Sequence, residues 1–205
     1  MLYCKLIGGI QMNDFLKVVS ERRSIYNINN KLNLTESDLI KLIEDSIKYA
    51  PSAFNSQSSR IVLLLNDAHK MFWDLVLEKL KAIVDTDSFQ NTQQKIDSFS
   101  AGYGTILYFE EQDTIKNLQE KFSLYANNFP KWSEQSSGIL QFIIWTVLSS
   151  KGIGASIQHH NALISDEVYK LCDIPKSWKL IGQMPFGTIE KPADDKTFLP
   201  IETRL

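Results

Sequence analysis

The chain has little of what marks several protein classes. Its two cysteines, Cys4 and Cys172, lie far apart and in no metal-ligand spacing, which argues against a disulfide framework and suits a reducing compartment. Histidine is scarce: besides His69 there are only His159 and His160, which as neighbours on an extended segment face opposite ways and share no metal by regular geometry. No apolar run approaches the ~20 residues a bilayer-spanning helix needs; the longest, residues 139–148 and 61–65, are too short. Charge of one sign is missing too. With 22 Lys and Arg against 24 Asp and Glu the formal net charge is −2, so no global field draws nucleic acid or an anionic membrane surface, and any phosphate binding must be local. There is no internal repeat, low-complexity tract or Pro/Gly/Ser-rich linker. A Gly-x-Gly-x-x-Gly fingerprint is also absent, since Gly152-Ile153-Gly154 is followed by Ala155-Ser156-Ile157. These absences lead us to expect a cytoplasmic, single-domain protein with no nucleic-acid or membrane partner.

What is present is enough apolar residue, 43% of 205 positions, to bury a sizeable core without staples. Residues 1–11 carry only Lys5 and lack the long apolar stretch of a signal peptide. Gly8-Gly9 just before Met12 is what a translated ribosome-binding sequence encodes. Residues 1–11 are therefore expected to be a non-native or disordered extension, and residues 12–205 the domain. A helical pattern runs over residues 13–22, with Phe15, Leu16, Val18 and Val19 on one side. Thr35 with Asp38 is a capping box for a second helix, carried by Leu39, Ile40, Leu42, Ile43 and Ile47 until Pro51 forbids continuation. Residues 51–59 read as a polar loop and residues 61–65 as a buried strand. Helices follow around residues 72–80, 115–125, 132–150 and 165–171, with strands at residues 105–109, 155–158 and 180–186. The sum is a three-layer α+β domain, and residues 191–205, with no helical period, read as an extended arm that needs a surface to lie on.

Two clusters carry chemistry. Arg22-Arg23-Ser24 presents two guanidinium forks and a hydroxyl within one turn of chain, a cradle for a phosphate dianion, although paired arginines at a helix end are ordinarily solvated charges. The loop of residues 51–59 supplies Ser52, Asn55, Ser56, Gln57 and backbone amides, the hydrogen-bonding surface that a heterocycle with several acceptors requires, or else an ordinary solvated loop. Trp132, Trp145, Phe142 and Phe129 sit at helical spacing and are read mainly as core, with Phe129 and Trp132, which flank Pro130, as the candidates for a substrate pocket.

The order helix, Arg-Arg-Ser, helix, Pro-Ser-Ala-Phe-Asn-Ser-Gln, strand resembles the nitroreductase family. Ala101-Gly102-Tyr103-Gly104-Thr105, Leu124-Tyr125-Ala126, Asn128-Phe129-Pro130, Trp132-Ser133-Glu134-Gln135-Ser136, Gly152 through His159, and Met184-Pro185-Phe186-Gly187 are similar to its fatty-acid-repression branch. The resemblance runs from Met12 onward. It implies a nitroreductase-type fold with a central, mainly antiparallel sheet flanked by helices, a C-terminal arm laid onto a partner subunit, and a homodimer with FMN at the subunit interface. On the same grounds Arg22, Arg23 and Ser24 match the segment holding the phosphate, ribityl chain and one ring edge. Pro51, Ser52, Ala53, Asn55 and Gln57 match the loop the other subunit lays against the cofactor, and Ile157, Gln158 and His159 the strand end beside the reactive face. Arg204 matches a basic residue near the phosphate, with Lys191 and Lys196 as competing cations. No side-chain nucleophile is required, and no proton donor is singled out among water, Gln158 and His159. The resulting expectation is an enzyme in which NADH or NADPH, as a substrate, reduces bound FMN, which then passes electrons to a small-molecule acceptor such as a nitroaromatic or quinone by a ping-pong mechanism. The alternative is a flavin-bound redox sensor or regulatory protein with little turnover.

Overall fold

The computed structural model describes residues 14–205; the expectation for residues 1–11 lies outside the described residues. Helix α1 covers Asp14–Glu21, β1 is the two-residue Ile28–Asn29, and α2 covers Glu36–Tyr49. The capping box at α2 is real: Thr35 Oγ1 accepts from the Asp38 amide at 3.1 Å and donates to Asp38 Oδ2 at 2.7 Å. β2 (Ser59–Leu65) leads into α3 (Asn66–Lys81) and α4 (Thr86–Ser100). β3 (Gly104–Glu111) is followed by α5 (Gln112–Lys121) and a 3-10 stretch at Ser123–Asn128. Then come α6 (Phe129–Ser150), β4 (Ile153–Ala155), α7 (Asn161–Leu171) and β5 (Trp178–Ile189).

The strands form one sheet in the order β1-β5-β3-β2, with β4 also paired to β5, and every strand pair is antiparallel. β3 sits between β2 and β5 and is buried over all but its last residue. Its side chains alternate: Leu107 and Phe109 join Phe72, Trp73, Phe99 and Val168 beneath α3, α4 and α7, whereas Ile106 and Tyr108 join Leu39, Ile43, Leu140 and Ile144 beneath α2 and α6. Two apolar faces require two covering layers of helix, which is the three-layer α+β architecture the sequence predicts.

A buried polar network locks α3 and α4 to β3. The Ser100 carbonyl can only accept, so His69 Nε2 at 3.1 Å carries the proton, and Nδ1 accepts from Thr105 Oγ1 at 2.8 Å. That hydroxyl in turn accepts from Trp73 Nε1 at 2.9 Å. The three side chains are mutually satisfied only with His69 neutral, and burial lowers its pKa.

Several boundaries differ from the sequence reading. α4 was not expected: it is mostly Asp, Ser, Asn, Gln and Thr and buries only Ile96 and Phe99, too few apolar positions to show a period. The expected helix over residues 115–125 begins earlier, at Gln112, and gives way to 3-10 geometry after Lys121. The strand expected at residues 155–158 is β4 plus an isolated bridge from Gln158 to Gln183. The last fifteen residues are extended and exposed apart from a 3-10 turn at Ile201–Thr203.

Candidate functional site

The Arg-Arg-Ser segment leaves α1 and docks on β4. Ile25 N–H donates to the Ala155 carbonyl at 2.9 Å and Ser24 bridges Ala155 in parallel. Trp145 of α6 donates from Nε1 to the same Ala155 carbonyl at 3.1 Å and lies flat under the Arg22 guanidinium, 4.0 Å from ring centroid to Cζ. Arg22 is thereby drawn out of water. Its Nε and Nη1 are buried with no hydrogen-bond partner among the described residues, and burial, with the Arg23 charge second, lowers its pKa. Arg23 turns the other way and donates from Nη2 to the Asp194 carbonyl at 2.5 Å, holding the chain after β5 across the segment. Between them lies a cleft of about 450 Å³ lined by Arg22, Arg23, Ser24, Lys191 and Lys196 together with Asp194 and Asp195. Of the competing C-terminal cations, Lys191 and Lys196 line this cleft, while Arg204 sits on the exposed last turn and does not.

The second element is the loop of residues 51–59. Three of its non-glycine residues hold left-handed backbones: Phe54 (φ 55°), Asn55 (φ 50°) and Gln57 (φ 47°). Such conformations cost about 1–3 kcal/mol each and persist only where surroundings over-determine them. Here the surroundings do. Ser52 Oγ accepts from the Gln57 amide at 3.0 Å, Ser136 Oγ on α6 accepts from the Ala53 amide at 3.3 Å, and Arg60 Nη1 donates to the Gln57 carbonyl at 2.8 Å. Phe54 is turned out onto an aromatic shelf, stacked on Trp132 at 5.9 Å and 20° and edge-on to Phe129 at 5.2 Å. Trp132 lines the adjoining cleft of about 470 Å³ with Pro51, Ser52, Ala53 and Phe54; Phe129 is buried beneath it. Gln57 lies on the other side of the loop, facing a cleft of about 340 Å³ with Arg60 and Ser136, and Asn55 is exposed.

The third predicted segment is partly withdrawn. Gln158 is buried; its backbone exchanges hydrogen bonds with Gln183 at 2.7 and 2.9 Å, and its Nε2 donates to Ser156 Oγ at 3.1 Å. Ile157 is half-buried against the α2–α6 core, and His159 is exposed. Within one chain the arginine cleft and the loop do not close on a common space. They share no lining residue, and their contacts on α6, Trp145 and Ser136, are nine positions apart, about 14 Å along the axis.

Residues 19–188 match the model of the nitroreductase family. The chain belongs to that family. The Saccharomyces cerevisiae protein HBN1 is 32% identical over 187 residues, 90% of this chain and 93% of the yeast one. The fold matches nitroreductase CinD from Lactococcus lactis, solved with nicotinic acid, at a TM-score of 0.85 and 45% identity over 93% of this chain and 97% of that one; CinD has also been solved with 4-nitrophenol. A Desulfitobacterium hafniense nitroreductase solved with bound FMN shares the fold alone, at a TM-score of 0.69 and 18% identity over 95% and 98% of the two chains. The antiparallel sheet and its two helical layers are thus the nitroreductase fold, and membership places the chain among oxidoreductases. Among the described residues no helix is long and apolar enough to cross a membrane.

Sequence reasoning singled out Arg22, Arg23 and the loop as candidates but not two residues that contact them. Trp145 was read as core, and nothing in its spacing distinguishes a ring packed under a guanidinium from one packed under leucine. Ser136 belongs to a helix whose local pattern is purely structural, and only the tertiary fold brings it to the loop.

Proposed function

We propose that this chain is an FMN-dependent oxidoreductase that takes reducing equivalents from NADH or NADPH and delivers them by a ping-pong mechanism to a nitroaromatic, quinone or similar electrophile. The observation that carries the reading is Arg22: two guanidinium nitrogens buried without a partner, on the wall of a cleft that also gathers Arg23, Lys191 and Lys196. Buried charged donors are ordinarily satisfied, and leaving them so is costly. A phosphate and the electron-rich edge of an isoalloxazine supply the acceptors that the arrangement lacks, so the residues present fit the cofactor. Bound there, the flavin would supply reversible two-electron chemistry; the protein supplies position, charge and exclusion of water.

In this reading Arg22, Arg23, Ser24, Lys191 and Lys196 hold the phosphate and ribityl end. The loop of residues 51–59, preformed in its left-handed shape, lies against the ring of the cofactor held by a second copy. The two clefts share no lining residue, and their contacts on α6 lie about 14 Å apart along the helix axis, which favours this division. A homodimer also gives cover to apolar groups the chain leaves in water, including Tyr49 (72% exposed), Ile139 (42%) and Phe198 (77%). The shelf of Phe54 and Trp132 offers a planar electrophile two ring faces at the loop's edge.

Purified protein should be yellow, and excess NADH or NADPH should bleach it anaerobically until menadione or a nitrobenzene restores the colour. A bound flavin that neither coenzyme reduces would refute the mechanism. Rapid turnover with either acceptor would exclude the sensor alternative.

A further inference from the structure

The carboxyl group of Glu110 has no role in the reading above, yet it is the one fully buried acid among the described residues, 0% exposed at the end of β3 and directly beneath the loop of residues 51–59. Ser58 Oγ donates to its Oε2 at 2.6 Å and Ser59 Oγ to its Oε1 at 2.5 Å, lengths in the charge-assisted range. Ser58 is itself fully buried and its Oγ stands 3.3 Å from Ser56 Oγ, so a line of hydroxyls climbs from the carboxylate into the loop. The carboxylate makes no ion pair within 4.0 Å among the described residues, and the nearby Arg60 guanidinium is engaged by the Gln57 and Ser59 carbonyls. For stability alone an apolar side chain would serve this position better, since a buried charge held by two hydroxyls is a poor exchange for hydration. What the carboxylate does achieve is to fix the two residues at which the strained loop enters β2.

We propose that Glu110 is a positioning residue for the site: by accepting from Ser58 and Ser59 it holds Phe54, Asn55 and Gln57 in the left-handed backbone that meets the cofactor, without touching any ligand. The inference rests on the reading of that loop as the ring-facing wall. Ionised, the carboxylate accepts both hydroxyls. Protonated, it offers one of them a donor instead, and the loop's anchor loosens. The charged groups around it are Arg60 on β2, Glu134 on α6 with its partner Lys179 on β5, and Glu111 beside it. Burial pushes the Glu110 carboxyl above the usual carboxylate range, against the pull of the two serines and Arg60.

The test uses the full-length wild type, Glu110→Gln and Ser58→Ala, with two readouts. The first is hydrogen exchange of the Ala53 and Gln57 amides in flavin-free protein. Both amides are held by side-chain hydroxyls, and both should exchange roughly tenfold faster in each variant. The second is FMN affinity by flavin fluorescence across roughly pH 5 to 8. Wild-type affinity should fall on the acidic side as Glu110 protonates. Glu110→Gln should bind about tenfold more weakly at neutral pH, one charge-assisted hydrogen bond's worth, and lose the acidic fall. Loop exchange and an FMN pH profile unchanged in Glu110→Gln overturn the proposal; should that variant not fold, Ser58→Ala indistinguishable from wild type in both readouts does so. A wild type that binds no FMN would instead sink the functional reading, with the exchange measurement still deciding the role of Glu110.

Discussion

Replacing Arg22 by Met separates a residue kept for ligand from one kept for fold. Met retains the apolar contact with the Trp145 ring but removes the charge. In the flavin-free protein two terms oppose. The cation–π contact at 4.0 Å is lost, worth about 0.5–2 kcal/mol. The buried, unpartnered Nε and Nη1 are relieved, and each such donor costs about 1–3 kcal/mol when left unsatisfied. The sum is neutral or stabilising, so the melting temperature of the flavin-free variant should equal or exceed that of wild type. Cofactor affinity moves the other way. Two charge-assisted hydrogen bonds are worth about 1.5–3 kcal/mol each; taking the lower figure for a cleft open to water gives about 3 kcal/mol, or roughly a hundredfold in Kd. Thermal unfolding with and without FMN, alongside a flavin fluorescence titration, reads both quantities. A flavin-free variant destabilised by more than about 2 kcal/mol, or one that binds FMN like wild type, would refute the reasoning.

Acid should destabilise the fold through its buried histidines. The folded pKa of His69 lies below 6.5 because of burial, so the stability tied to its neutral form is complete above the unfolded value and is lost as pH falls below about 6.5 toward the folded one, by up to about 1.4 kcal/mol per pH unit. His160 shifts in the same direction, from burial first and then Lys95 and His159. Urea midpoints should therefore fall on acidification, and His69→Gln should flatten that fall; an unchanged slope in the variant would count against the neutral network. Phe54→Gly should relieve about 1–2 kcal/mol of left-handed strain while losing the stack on Trp132, leaving stability nearly unchanged but raising the KM for aromatic acceptors several-fold. A KM no different from wild type would remove the shelf from the acceptor's path.

The sequence made the scaffold legible where period and punctuation coincide. Thr35, Asp38 and Pro51 delimit α2 because a cap and a forbidden amide are local chemistry; the apolar run of residues 61–65 announces a strand, but not the buried one expected, because as β2 it lies at the sheet edge and buries only Leu64 fully. α4 escaped because a helix that contributes two side chains to the core has no period to read, and β1 because two residues show none. At the site, guanidiniums and a polar loop were visible as functional groups, but their environment was not. Arg22 packs on Trp145, Ser136 holds the loop at Ala53, and Arg23 pins the chain at Asp194, where Lys191 and Lys196 rather than Arg204 line the cleft.

Ser136 and Trp145 ride on one uninterrupted helix, so the spacing between a subunit's two half-sites is set by a rod that lengthens only in increments of about 1.5 Å, each turning everything beyond it by about 100°. In the proposed homodimer, an insertion or deletion between them would misalign both pockets at once.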